Sequence, residues 1–286
     1  MSSIINKTVL VTGASSGIGL AVIEKLFSEN YQVVATVRSE SSKQELLRKF
    51  KDIRVLLLDF QKPSDFANAF SQLRTEYGIH QLYGIVNNAG VANGGPFLYQ
   101  DMSEIEEMIQ VNLTSLILFT HQALPFLMAA GNSRIVNISS ISAVMCTPFL
   151  AGYAASKSGV DAFSDSIRKE LAMLGIKVCV VAPGSIKTPI WQKGLVSVGE
   201  KYSTGLYGAG VQKFMKFAKF ESENGLEASV VAEDVFHALT AKNPKIKYFP
   251  VPRKLVSFHI PLMLPKVLND FLMKKALFLN PPKEKR

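Results

Sequence analysis

The stretch TVLVTGASSGIG, residues 8–19, decides the fold. Its first four residues are apolar or β-branched without a break, the composition of a strand covered on both faces. Glycines follow at 13, 17 and 19, and a helical pattern runs from 17 to 29. Gly13 permits a sharp turn, Gly17 a close approach of backbone to a ligand, and Gly19 tight packing of helix on sheet. The first N–H groups of that helix then point out of the turn, where a phosphate is welcome. The spacing Gly-x3-Gly-x-Gly differs from GxGxxG, so the glycines take their meaning from the strand before and the helix after.

Working outward, the runs 8–13, 32–37, 54–59, 82–88, 133–140, 176–183 and 246–251 read as seven strands, with helices including 17–29, 64–77, 103–129 and 153–173 between them. Continuously apolar strands alternating with helices predict a Rossmann-type doubly wound α/β domain, a seven-stranded parallel sheet with helices on both faces. It should occupy residues 1–252 as one domain, with 190–225 as a substrate lid and 253–286 as an apolar, basic C-terminal extension. The long apolar helix is interrupted by Asn112, Thr114, His121, Gln122 and Pro125, so it reads as a buried or oligomer-forming helix rather than a membrane span.

Composition narrows the function. Two cysteines, Cys146 and Cys179, and four scattered histidines offer no zinc-type ligand pattern, and both cysteines read as small core residues. No charged-then-apolar leader opens the chain, which predicts a cytoplasmic protein. The formal charge of +9 belongs to the tail: from Lys242 onward eleven Lys or Arg face two acids, while the rest of the chain is balanced. Basic residues without a recognised binding fold argue against nucleic acid as a partner.

Two local patterns point to chemistry. The second strand ends Thr36-Val37-Arg38, with no carboxylate to bind a ribose hydroxyl or repel a phosphate. Arg38 suits a 2′-phosphate as a planar donor fork, which favours NADP(H) over NAD; a merely solvated Arg38 is the alternative. In GYAASKSGV, residues 152–160, Tyr153 and Lys157 stand one helical turn apart among small residues. A phenol begins near pKa ~10, and bringing it to about 7 needs roughly 4 kcal/mol of phenolate stabilisation, which a neighbouring ammonium and a cationic cofactor would provide.

The order TGASSGIG, Asp59, NNAG at Asn87–Gly90, Asn112, Ser140, YAASK and PGSIKT at Pro183–Thr188 resembles the short-chain dehydrogenase/reductase family over about residues 6–250. Within it, ATVRS, NPKIKYF and the apolar basic tail look most similar to the 17β-hydroxysteroid and retinol dehydrogenase branch. The resemblance implies Tyr153 as proton donor, Lys157 as its electrostatic partner and ribose ligand, Ser140 as holder of the substrate oxygen, and Asn112 as orderer of a water. It implies cofactor contacts from Gly13, Ser15, Ser16, Gly17, Ile18, Gly19, Arg38, Asp59, Asn88, Ala89, Gly90, Pro183, Gly184, Ile186 and Thr188. Thr188 reads equally well as a helix N-cap before Pro189. The family's dimer helices correspond to 103–129 and 153–173, so a homodimer is expected.

Val144, Met145, Phe149, Trp191, Leu206 and Phe214 are the expected substrate-pocket residues, on segments that vary between family members. Their apolar character favours a lipophilic alcohol or ketone, such as a steroid, retinoid or long-chain compound. The same residues also read as packing between lid and core. The tail combines Phe, Leu and Met with Lys, which suits peripheral contact with an anionic membrane, or packing over the pocket or a partner. The competing functions are an inactive NADP(H)-sensing protein and a reductase of small polar ketones.

Overall fold

The computed structural model describes residues 7–188, 198–254 and 258–279. Seven strands form one parallel sheet: β1 (Thr8–Val11), β2 (Gln32–Val37), β3 (Arg54–Leu57), β4 (Gly84–Asn87), β5 (Arg134–Ile138), β6 (Lys177–Val181) and β7 (Lys247–Tyr248). Their order is β3-β2-β1-β4-β5-β6-β7, with Val9 set beside both Val33 and Gly84. The direction of winding reverses between β1 and β4, and a crevice opens there beyond the carboxyl ends of the strands.

Period-two alternation divides each strand between two apolar layers. Val9 and Val11 face a cluster with Ile23 and Leu26 of α1 (Gly17–Ser28) and with Val235 and Leu239 of a later helix, Ala228–Thr240. Leu10 and Ile85 face the other layer, with Phe66 from α3 (Phe66–Thr75) and Phe119 and Phe126 from α5 (Ser115–Ala129). On the first of these layers also lies α2 (Glu40–Lys49), which buries Leu46 there and whose N-cap Ser39 accepts a hydrogen bond from the Ser42 N–H.

The expected helix 103–129 is long and apolar enough to cross a membrane by length and composition alone, but half of its most apolar window is buried against this domain. It also has three parts: α4 (Met102–Ile109), a π-helical turn at Gln110–Thr114, and α5. After β5 come a short α6 (Ser142–Met145) and α7 (Ala151–Glu170), then β6, α8 (Gly208–Glu223), α9 (Ala228–Thr240), α10 (Ile260–Met263) and α11 (Lys266–Ala276). A third apolar cluster joins Phe149 and Tyr153 to Val211 and Phe214 of α8 and to Leu277 just past α11.

One reading from composition is corrected. Cys179 is buried in β6, but Cys146 is exposed, because it caps α6 with a left-handed φ of 39° that turns it out of the core.

Candidate active site

The crevice begins at the glycine turn. Gly13 has φ +64°, and a Cβ on it would lie 2.8 Å from the Ala89 Cα, so only glycine lets this turn meet the end of β4. A Cβ on Gly19 would lie 2.4 Å from the Gly13 carbonyl oxygen, so the helix start is pressed directly on the turn. Ser16, the N-cap of α1, is extended and makes no side-chain cap, which leaves the N–H groups of the first turn facing the crevice.

That crevice is a cleft of about 440 Å³, lined among others by Gly13, Ser15, Ser16, Gly17, Ile18, Arg38, Asp59, Asn88, Ala89, Gly90 and Thr188. The structure therefore brings to one cleft residues that follow β1, β2, β3 and β4, with Thr188 from the segment after β6. Arg38 is exposed and lines the same cleft as the serines of the turn. Asp59 accepts a hydrogen bond from the Gln61 N–H at 3.0 Å, which shapes the loop after β3.

Several polar residues that hold this wall were not foreseen. The Thr12 hydroxyl oxygen accepts from the N–H groups of Asn88 and Ala89, both at 2.9 Å. Asn88, which lines the cleft as expected of a cofactor-contacting residue, donates its side-chain amide N–H groups to the carbonyls of Thr12 and Gly13 at 2.9 and 3.0 Å. Behind it the Asn87 amide donates to Thr120 and Asn137, and Asn137 donates to Ser164, a buried chain linking α5, β4, β5 and α7. These contacts span 27 to 77 residues, beyond the reach of local periodicity; only the unusual asparagines inside apolar strands signal them.

A smaller chamber of about 70 Å³ continues from the cleft, sharing Ile18, Asn88, Gly90, Val91 and Thr188 with it and adding Ser140, Tyr153, Lys157, Pro183, Gly184 and Ile186. Tyr153 and Lys157 occupy one face of α7, with 6% and 5% of their surface exposed. The Lys157 Nζ donates to the Ile138 carbonyl at 2.9 Å and lies 5.9 Å from the centre of the Tyr153 ring. Ser140 hydrogen-bonds Tyr153, and its oxygen accepts from the Ser142 N–H at 3.1 Å. Ser139 also lines the chamber, and its hydroxyl donates to the Lys157 carbonyl.

Burial sets the proton affinities here. The Tyr153 phenol is pushed up to about 12 by loss of solvent, with the Ser140 hydrogen bond opposing. Lys157 is pushed down to about 8 by the same loss, with Asp161 opposing. In the protein alone burial outweighs the Ser140 hydrogen bond at the phenol, and the lowering expected from the sequence draws on the cofactor's charge as well as on Lys157.

Asn112, inside the π turn, is fully buried. Its Oδ1 accepts from the Val91 N–H at 2.8 Å, and its Nδ2 donates to the Val91 carbonyl and Ser156 hydroxyl at 2.9 and 3.0 Å. The visible task of its amide is to tie the loop after β4 to α7. A Cβ on Gly90 would lie 3.2 Å from the Asn112 Oδ1 and 3.6 Å from the Lys157 Nζ, so Gly90 keeps the space between them open.

Beyond Ser140, Gly184 and Ile186, a third cavity of about 100 Å³ is bounded by Leu150, Phe214, Phe217 and Glu221. Of the expected pocket residues, Phe214 lines it. Phe149 is buried behind, its ring 5.6 Å from that of Phe214. Val144 and Leu206 are 43% and 64% exposed, and neither they nor Met145 line the cavity. Trp191 lies outside the described residues.

A nucleotide-sized cleft at the winding reversal, opening on a buried phenol and ammonium, defines a dinucleotide-dependent α/β enzyme. The sequence model of the short chain dehydrogenase family matches residues 7–195, and the chain belongs to that family. It is therefore an oxidoreductase of CH–OH groups. An NADPH-dependent 3-dehydrocapnine reductase of Ornithobacterium rhinotracheale is 31% identical over 273 residues, 94% of this chain and 96% of that one. Retinol dehydrogenase 16 of Mus musculus is 30% identical over 290 residues, covering 96% and 89%. A short-chain dehydrogenase from Streptomyces avermitilis shares the fold with TM-score 0.76 at 20% identity, covering 98% of this chain and 99% of its own.

Proposed function

We propose that this protein uses NADP(H) to interconvert a secondary alcohol and a ketone, or a primary alcohol and an aldehyde, on a lipophilic substrate. The observation that carries the reading is continuity: the long cleft, the Tyr153 chamber and the partly aromatic cavity share residues in that order. A cofactor laid along the first would end beside the phenol, and a substrate in the third would meet Ser140.

The cofactor supplies or accepts the hydride. The protein's part is to handle the oxygen. Ser140 holds it by hydrogen bond, and Tyr153 donates the proton in reduction and takes it in oxidation. Because burial favours the neutral phenol, Tyr153 is ready as an acid, and its anion needs the Lys157 charge together with that of the oxidised cofactor. Arg38, exposed in the cleft that Ser15 and Ser16 also line, is the group suited to a 2′-phosphate, and the relative from Ornithobacterium is an NADPH-dependent reductase.

The exposed side of the Met102–Ala129 helix, with Met102, Leu118 and Met128 uncovered, is the face offered to a second copy in a homodimer. The C-terminal extension serves for contact with an anionic membrane surface. The defining experiment is NADPH consumption with steroid, retinoid, long-chain and small polar ketones. Turnover is expected with lipophilic members; activity confined to small polar ketones would reject the substrate reading.

A further inference from the structure

The third cavity has two unlike walls. Leu150, Phe214 and Phe217 are apolar, whereas one helical turn beyond Phe217 on α8 stands Glu221, the one formally charged lining residue among those described. Its side chain is 14% exposed. One carboxylate oxygen accepts from the Ser185 hydroxyl at 2.8 Å, and the other from the Arg253 Nη2 at 2.6 Å. Arg253 approaches from the C-terminal extension, is half exposed, and also lies over the Phe220 ring at 5.5 Å.

A carboxylate has about four acceptor positions, so two partners leave it able to accept more. Ser185 and Arg253 fix its direction while part of its capacity remains toward the cavity it lines. An apolar cavity needs no such group to enclose hydrocarbon, and maintaining a half-buried charge costs stability. Arg253 offsets that cost from the solvent side, where its own charge is screened.

We propose that Glu221 determines specificity: the substrate is a lipophilic ketone or alcohol bearing a second, hydrogen-bond-donating group, a hydroxyl or an ammonium, set apart from the reacting carbon. This rests on the lipophilic reading above and adds the polar end of the molecule. The hydrocarbon lies along Phe214 and Phe217, the reacting oxygen reaches Ser140, and the donor group meets the Glu221 carboxylate. A substrate without the donor leaves that carboxylate less satisfied, which is how a site built for hydrogen bonding rejects the analogue lacking the group.

The test uses the full-length enzyme with NADPH and a series of long-chain ketones in which a hydroxyl or an ammonium is placed at successive distances from the carbonyl, beside the plain ketone. At the best position the donor-bearing ketone should exceed the plain one in kcat/KM by roughly 10- to 100-fold, the range of one hydrogen bond to a charged group. Glu221→Leu should collapse that ratio, while Glu221→Gln should keep part of the hydroxyl preference and lose the ammonium preference. Arg253→Gln, which removes the offsetting charge, should raise ammonium over hydroxyl several-fold. NADPH binding, followed by its fluorescence, verifies that each variant is folded. Equal kcat/KM for plain and donor-bearing ketones in the unmodified enzyme would overturn this inference and leave the lipophilic reading standing. An unchanged ratio in Glu221→Leu would do the same. No turnover of any member would overturn both.

Discussion

Lys157 and Tyr153 are held at opposite displacements by one cause, and stability should show it. Lys157 is pushed down to about 8 in the folded protein from its ordinary 10.5, so between those pH values the unfolded chain binds more protons. Stability from this group therefore rises with pH over that window. Tyr153, pushed up to about 12, acts the other way above pH ~10, where the folded state keeps a proton the unfolded one loses. Relative to Lys157→Met, the cofactor-free protein should gain about 2 kcal/mol between pH 8 and 10, read from urea midpoints at each pH. A constant difference between the two proteins would refute the buried ammonium. Tyr153→Phe removes the proton donor but not the walls of the cleft, so turnover should fall at least ~10³-fold while NADPH binding changes little; near-normal activity would end the assignment. Arg38→Asp should turn the preference from NADPH toward NADH, since a carboxylate repels the 2′-phosphate and accepts from a free hydroxyl. A preference for NADH in the unmodified protein would remove Arg38 from that role.

At the scale of elements, the sequence made the strands legible because uninterrupted apolar runs have few other places to lie. What it overextended were their ends. The first apolar run extends to residue 13 and its strand stops at Val11; the fifth extends to residue 140 and its strand stops at Ile138. In both places the polar end of the run serves the site: Gly13 lines the cleft and Ser140 the chamber, while the Thr12 and Ser139 hydroxyls hold neighbouring backbone. The π turn at Gln110–Thr114 was not legible, because a single widened turn leaves the hydrophobic pattern intact. Gly19 tests the best-read element. Alanine there would bring its Cβ against the Gly13 carbonyl, which is backbone and cannot rotate aside. The turn and α1 must separate, so Gly19→Ala should lower stability by about 2 kcal/mol and weaken NADPH binding by at least ~10-fold. Thermal melting and a fluorescence titration measure the two effects; unchanged binding would show that the helix start is not pressed against the cofactor turn.

Across the whole molecule the departure from ordinary globular design lies at α11. A surface helix usually hides its apolar stripe, yet Val267, Leu268, Phe271 and Leu272 are all exposed, with Val267 at 83%. The inner side is thin: Met273 is partly covered, and Leu277 just beyond the helix is buried with Phe149 and Phe214. The extension is thus anchored to the wall of the third cavity while its outer face, together with Met263 at 83% exposed, is apolar and flanked by Lys266, Lys274 and Lys275. Basic and apolar together suit an anionic lipid surface, with lysines among headgroups and side chains in the acyl boundary. The sequence showed this composition but not which residues face outward, because Leu277 and Leu272 look alike until the fold buries one of them. Deleting the extension would also remove Leu277 and Arg253 from the cavity region. The cleaner variant is Met263→Glu, Val267→Glu and Phe271→Glu together, which leaves those anchors in place. The unmodified protein should float with vesicles containing phosphatidylserine, less so with neutral vesicles or at high salt, and the triple variant should remain in the dense fraction. Equal flotation of both proteins would dismiss the membrane surface and leave the exposed face of α11 to a protein partner.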